Sequence, residues 1–171
     1  MIQFIKLLPF AMLAFLACGC SNYRLAGTPT KLPFSSVYVE PVRNNSYAPQ
    51  SAALLTNAIS NALMQCPGIS ISNKSEAQAT LSTVIVDYEK TPIASNRNDT
   101  ALAAAYRVTA EAECTLKRAN GEIIFKNRKV KASTDIYLGD QNNLIGDEYQ
   151  NMPIIMRELG DRVKDAVIGI W

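Results

Sequence analysis

Between residues 106 and 117, apolar and polar positions alternate without a break. Tyr106, Val108, Ala110, Ala112, Cys114 and Leu116 share one parity, and Arg107, Thr109, Glu111, Glu113, Thr115 and Lys117 share the other. Successive side chains of a strand point to opposite faces, so this pattern predicts an antiparallel strand with one face on a core and one face open. Ala119-Asn120-Gly121 follows, and Asn-Gly takes positive φ at little cost, which predicts a hairpin turn. Residues 122–138 return as the partner strand. Upstream, residues 79–90 carry Val84, Val86 and Tyr88 on one parity and Leu81 and Ile85 on the other, a strand covered on both sides for part of its length. Residues 36–41 read as a short strand by their β-branched and aromatic content.

Two segments change to a helical period. In residues 50–65 the apolar set is Leu55, Ala58, Ile59, Ala62 and Leu63, with cap chemistry in Asn44-Asn45-Ser46, Pro49 suited to a first turn, and Cys66-Pro67-Gly68 as the stop. In residues 142–169 the stripe is Ile155, Leu159, Arg162, Val163, Ala166 and Val167, with Asn151 as cap and Pro153 in the first turn of its strongest part. Gly146 and Gly160 count against one unbroken helix. Residues 91–100, rich in Pro, Asn and Ser, are expected as an exposed loop. The order strand, helix, three strands, helix predicts an α+β fold with two helices on one face of a mostly antiparallel four-stranded sheet.

The N-terminus carries an address. Lys6 precedes an uncharged apolar run over residues 7–17, which closes on Leu16-Ala17-Cys18-Gly19-Cys20-Ser21. Charge, apolar core and small-residue cleavage site make a secretory signal, and the run has about half the ~20 residues needed to span a bilayer. The cysteine at the cleavage point resembles the lipobox of bacterial lipoproteins, in which the sulfur is acylated. Gly19 favours Cys20 as the acylated residue, with Cys18 as the alternative. Acyl chains contribute about 0.8 kcal/mol per buried methylene, enough for several on one cysteine to hold a domain to a membrane. Ser21 stands where an Asp would resemble an inner-membrane retention signal, so the resemblance points to the outer membrane. The expected organisation is a signal over residues 1–19, a breaker-rich lipidated tether over 20–33, and a single domain over 34–171.

Composition narrows the function. The chain has 17 Lys and Arg against 15 Asp and Glu, and this near-neutrality argues against nucleic acid as a partner. It has no histidine, which excludes histidine-activated nucleophiles and most catalytic zinc sites. Its cysteines form no CxxC spacing, and no serine sits in a nucleophile-elbow context. No enzyme activity, metal or cofactor is therefore expected. The acidic residues Asp147, Glu148, Glu158, Asp161 and Asp165 are interleaved with Arg and Lys as on an ordinary helix surface. Cys66 and Cys114 are candidates for a disulfide closing a loop of about fifty residues, worth ~3–4 kcal/mol, or for two buried free thiols.

The order of these elements resembles the lipopolysaccharide-assembly lipoproteins of the outer membrane, the LptE family. Tyr23-Arg24-Leu25-Ala26-Gly27 is similar to the short element that follows the family's acylated cysteine. Residues 37–45, with Pro41 and Asn44, then Pro49 and Leu55-Thr56-Asn57-Ala58, resemble its first strand and helix. Residues 79–90, 106–117 and 121–128 resemble its sheet, and Met152-Pro153, Leu159, Arg162 and Trp171 resemble its ending. The resemblance implies a non-enzymatic protein that plugs a large outer-membrane β-barrel, helps it assemble, and assists placement of lipopolysaccharide. Its location would be the outer membrane, lipid-anchored, facing the periplasm or inside the barrel lumen. The alternative is a lipoprotein scaffold of another envelope complex.

With that ligand in view, Lys126, Arg128, Lys129 and Lys131 become candidate contacts for its phosphates and carboxylates. Alternation would put Lys126 and Arg128 on one face and Lys129 and Lys131 on the other, unless a bulge intervenes. The competing reading is a strand edge kept soluble and unpaired by its lysines.

Overall fold

The computed structural model describes residues 32–48, 50–96, 101–138 and 144–169. The signal segment, Cys18, Cys20, most of the tether, the 23–27 element, Pro49 and Trp171 lie outside them. In chain order the elements are β1 (Ser36–Val39), β2 (Arg43–Asn44), α1 (Ser51–Met64), β3 (Ser70–Ile71), β4 (Ala79–Ser95), β5 (Ala103–Arg118), β6 (Ile123–Tyr137) and α2 (Leu144–Ile168).

β4, β5 and β6 form the expected antiparallel meander, with Leu81 opposite Leu116, Ile85 opposite Ala112, and Ala110 opposite Ala132. The Asn120-Gly121 turn joins β5 to β6, and Gly121 has φ 87°. The sheet departs from the expected one in having six strands and mixed direction. Its order is β3-β1-β4-β5-β6, with β2 paired to β4 beyond the end of β1. β1 runs parallel to β3 and to β4, with Val37 opposite Ile71 on one side and Ala79 on the other. The cause is α1, because a helical crossover returns the chain to the same edge and so delivers the next strands parallel. β2 and β3 are two residues long, too short to leave any alternation in the sequence.

β4 is also longer than expected. Residues 91–95 remain in the strand, with Pro92 opposite Tyr106 beside a register shift, so the loop is confined to the tip. A second shift between Ile85 and Asp87 inverts the parity of β4. Before it Leu81 and Ile85 are buried against the core; after it Tyr88 pairs with Ala110 and Lys90 with Val108, on the same face.

Both helices cover that face. α1 buries Leu55, Ile59, Ala62 and Leu63 toward β1, β2 and β3, as its period predicts. Its start is set differently: Gln50 at φ 52° precedes the first turn without a side-chain cap. The polar cluster before it builds the turn instead, with Ser46 N–H and Oγ both donating to Asn44 Oδ1 and Asn44 Nδ2 donating to Ala48 O. α2 buries Met152, Ile155, Met156, Leu159, Val163 and Val167. Contrary to expectation it is one 25-residue helix that begins at Leu144, with Pro153 inside it and exposed on the outer side. A proline there removes one backbone hydrogen bond, and the buried stripe on both sides of it carries the helix through. Arg162, expected in the stripe, is exposed and paired with Glu158 at 2.8 Å.

Gly160 explains how the helices meet. A Cβ built there would lie 2.9 Å from Ala58 Cβ, 3.0 Å from Ala58 C and 3.1 Å from Ile59 N. The glycine lets α2 approach the α1 backbone more closely than any side chain allows. Among the described residues, no helix is long and apolar enough to cross a membrane.

Candidate functional site

Because the helices take one face of the meander, its other face is left open. Here β5 and β6 place opposite charges directly across from each other: Glu111 opposite Lys131, Glu113 opposite Lys129, and Arg107 opposite Asp135. Lys131 Nζ lies 2.7 Å from Glu111 Oε2, and Lys129 Nζ lies 3.0 Å from Glu111 Oε1 and 3.6 Å from Glu113 Oε1. Arg107 grips Asp135 through Nε at 2.8 Å and Nη2 at 2.9 Å, the two-pronged geometry a guanidinium offers a carboxylate. The hydrogen bonds from Lys131 and then Lys129 hold Glu111 below the usual carboxylate range, and the same bonds raise both lysines. Arg107 likewise lowers Asp135. The open face is thus polar and largely neutralised from within.

The basic run is sorted by a bulge. Asn127 adopts φ 50°, and the register shifts so that Leu116 faces Phe125 while Cys114 faces Arg128. Thr115 stabilises the extra residue by accepting the Asn127 N–H at 3.1 Å. Phe125 is buried in the core, so alternation puts Lys126 on the open side. Arg128 goes to the helix side, where Nη1 donates to Ala166 O at 2.9 Å and the guanidinium lies 4.7 Å from the Phe125 ring centroid. The expected pairing of Lys126 with Arg128 is therefore corrected: Lys126, Lys129 and Lys131 share the open face. Arg128 satisfies one of the last carbonyls of α2, where a cation also suits the helix dipole. Lys129 and Lys131 are paired with glutamates, while Lys126 has no ion-pair partner among the described residues.

Cys66 and Cys114 are free thiols. Cys66 Sγ donates to Ala62 O at 3.4 Å, and Cys114 Sγ accepts from Thr83 Oγ1 at 3.7 Å in the core. Burial pushes the Cys114 thiol up to about 11. Of the two readings weighed for this pair, the structure has the free thiols.

One cluster left no mark in the sequence. Glu148, grouped with the helix-surface acids, is buried instead. Its Oε1 accepts from Tyr88 Oη at 2.7 Å and its Oε2 from Lys90 Nζ at 2.7 Å, fastening the N-terminal part of α2 to β4. Burial, and then the bond to Glu148, push the Tyr88 hydroxyl well above its ordinary value. The three residues come together only because the β4 bulge turns Tyr88 and Lys90 toward the helices. Among the described residues, no group of three or more Cys, Asp or Glu side chains is placed to hold a metal ion.

A family model described as lipopolysaccharide-assembly, LptE, matches residues 34–166. The chain belongs to the LptE family. That match spans every element described above except the last residues of α2. Several solved structures share the fold. A minor lipoprotein from Acinetobacter baumannii superposes with TM-score 0.52 at 14% identity, covering 81% of this chain and 93% of that one. An uncharacterised lipoprotein B from Nitrosomonas europaea gives 0.51 at 15% identity, covering 86% of each chain. A hypothetical protein from Chlamydia trachomatis gives 0.55 at 13% identity, covering 80% and 97%. No curated protein is significantly similar in sequence. Membership of the LptE family points to an envelope lipoprotein in lipopolysaccharide assembly.

Proposed function

We propose that this chain is an outer-membrane lipoprotein, acylated at Cys20, that seats in a large β-barrel and supports lipopolysaccharide assembly there without catalysing a reaction. The family match carries the reading. The open sheet face supports it physically. A barrel lumen is polar, and a surface entering it must be polar without bringing a large uncompensated charge. The Glu111–Lys131, Glu113–Lys129 and Arg107–Asp135 pairs meet that requirement. Direct contact with lipopolysaccharide belongs to the same proposal, through Lys126, Lys129 and Lys131 rather than Arg128.

Detergent extraction from the native membrane followed by pull-down tests the reading. A β-barrel of several hundred residues retained with the chain, and lost when Lys129 and Lys131 are both changed to Glu, is the expected result. Retention of other envelope proteins with no barrel would favour the scaffold alternative. Release of the chain from membranes in Cys20→Ala, with Cys18→Ala still bound, tests the anchor. Lipopolysaccharide binding that persists in Lys126→Glu/Lys129→Glu/Lys131→Glu would remove these lysines from the ligand site.

A further inference from the structure

The hairpin end of β5 and β6 meets the 73–77 turn in a second polar region, at the end of the sheet where the chain enters the domain. Glu76 N–H and Ala77 N–H both donate to Asn73 O at 3.0 Å, which curls that turn. Gln78 ties it to both neighbours. Its carbonyl accepts from Ala119 N–H at 2.9 Å, and its side-chain Oε1 accepts from Ser35 N–H at 2.8 Å. Between turn and hairpin lies a pocket of about 390 Å³ lined by Lys74, Ser75, Thr80, Lys117, Arg118 and Gly121, among others. None of its lining residues is acidic. Lys74 and Lys117 have no ion-pair partner among the described residues, and Arg118 shares one Nη1 contact with Glu122 at 2.7 Å.

Arg118 also holds an unpartnered donor. Its Nε is buried and has no hydrogen-bond acceptor among the described residues. Elsewhere in the chain Arg107 and Arg162 commit Nε together with Nη2 to a carboxylate. Arg118 commits only Nη1 to Glu122, a single-pronged contact. Lys74, Lys117, Arg118, Ser75 and Thr80 thus line one space that no carboxylate lines. Tetrahedral oxyanions are held by donor sets of this kind.

We propose that this pocket binds a phosphate group, a chemistry shared by membrane-lipid head groups and soluble phosphate. The reading is independent of the barrel partner. A head-group source, unlike the pocket itself, rests on the lipid anchor proposed at Cys20, which precedes Ser35, bonded to Gln78 beside the pocket.

The test uses the full chain in neutral detergent, with amide shifts followed by NMR while inorganic phosphate is titrated against chloride at matched ionic strength. Saturable shifts at Ser75, Thr80, Ala119 and Gly121 are expected. In Lys74→Ala/Lys117→Ala the affinity falls about tenfold or more with the melting midpoint unchanged, while Arg43→Ala, exposed on β2 and outside the pocket, binds as before. A second arm places the chain in discs of phosphatidylglycerol or of a phosphate-free galactolipid, without soluble phosphate. Shifts at the same amides on phosphatidylglycerol alone identify the lipid head group as the source, and shifts with inorganic phosphate alone identify a soluble one. No saturable shift in either arm, or an equal response in the double variant, overturns the proposal.

Discussion

Gly160→Ala tests the helix contact most directly, because two opposing effects of known size act on it. Alanine in a helix interior is favoured over glycine by about 0.8–1.0 kcal/mol, so an unconstrained helix would gain stability. Against this, the new Cβ would stand 2.9–3.1 Å from three atoms of α1, two of them backbone atoms and the third the Ala58 Cβ. None can rotate away, and ordinary carbon contacts need ~3.5–4.0 Å, so the helices must part by roughly 0.5–1 Å. A gap of that size forfeits a quarter to a half of each affected contact's attraction, and overpacking generally costs ~1–3 kcal/mol. The rigidity of the opposing atoms puts this site near the upper end, for a net loss of about 1–2 kcal/mol. In a domain of this size that lowers the melting midpoint by a few degrees, roughly 2–4 °C per kcal/mol. Gly160→Leu should lose considerably more. Chemical denaturation of the two variants beside the parent measures both values. A Gly160→Ala variant more stable than the parent would show that the helices part freely, and the close-contact argument would be wrong.

Leu116→Ala, which empties a fully buried site opposite Phe125, should cost about 2–5 kcal/mol in denaturant unfolding. Thr115→Ala removes the hydroxyl that accepts the Asn127 N–H and donates to Asn127 Oδ1, and should cost about 1 kcal/mol. Arg128→Ala should destabilise by about 1 kcal/mol and speed amide exchange in the last turn of α2, since a cation is lost from a helix end and from the Phe125 ring; unchanged exchange there would free Arg128 for another role. Glu111 is held below its ordinary value of about 4.3 in the folded chain, so the stability it contributes is fully present above that value and is lost as pH falls through the depressed one. Parent and Glu111→Gln should therefore differ in denaturation midpoint at neutral pH and converge in acid; a constant difference across that range would sink the assignment.

Much of the fold was legible because it is written in local periods. The unbroken alternation of residues 106–117 fixed which face of β5 is buried, and Val108, Ala110, Ala112, Cys114 and Leu116 all lie in the core. The stripe Leu55, Ile59, Ala62 and Leu63 fixed the inner face of α1 for the same reason. Pro153 and Gly160 misled, since Pro153 reads locally as a first turn and Gly160 as a helix interruption, while α2 runs unbroken through both with Met152, Ile155, Met156 and Leu159 packed beneath. The candidate site was half legible. The polar parity of β5 named Arg107, Glu111 and Glu113 as open-face residues, but their partners on β6 depend on a register that only the paired strands define.

By itself, then, the sequence determined the type of each long element and the inner faces of β5 and α1, together with the hairpin at Asn120-Gly121, because a period of 2 or 3.6 residues is a property of neighbours along the chain. Tertiary structure decided the rest. The parallel placement of β1 and β3 follows from the α1 crossover, and two-residue strands carry no period to announce it. The backbone of one residue, Asn127, sends Arg128 to the helix side and leaves Lys126, Lys129 and Lys131 on the open face. The burial of Glu148 depends on Tyr88 and Lys90, about sixty positions away in the chain, and the closeness of α1 to α2 depends on a glycine meeting Ala58. Each of these is set by which surfaces meet in space, and no local pattern of apolar and polar residues contains that information.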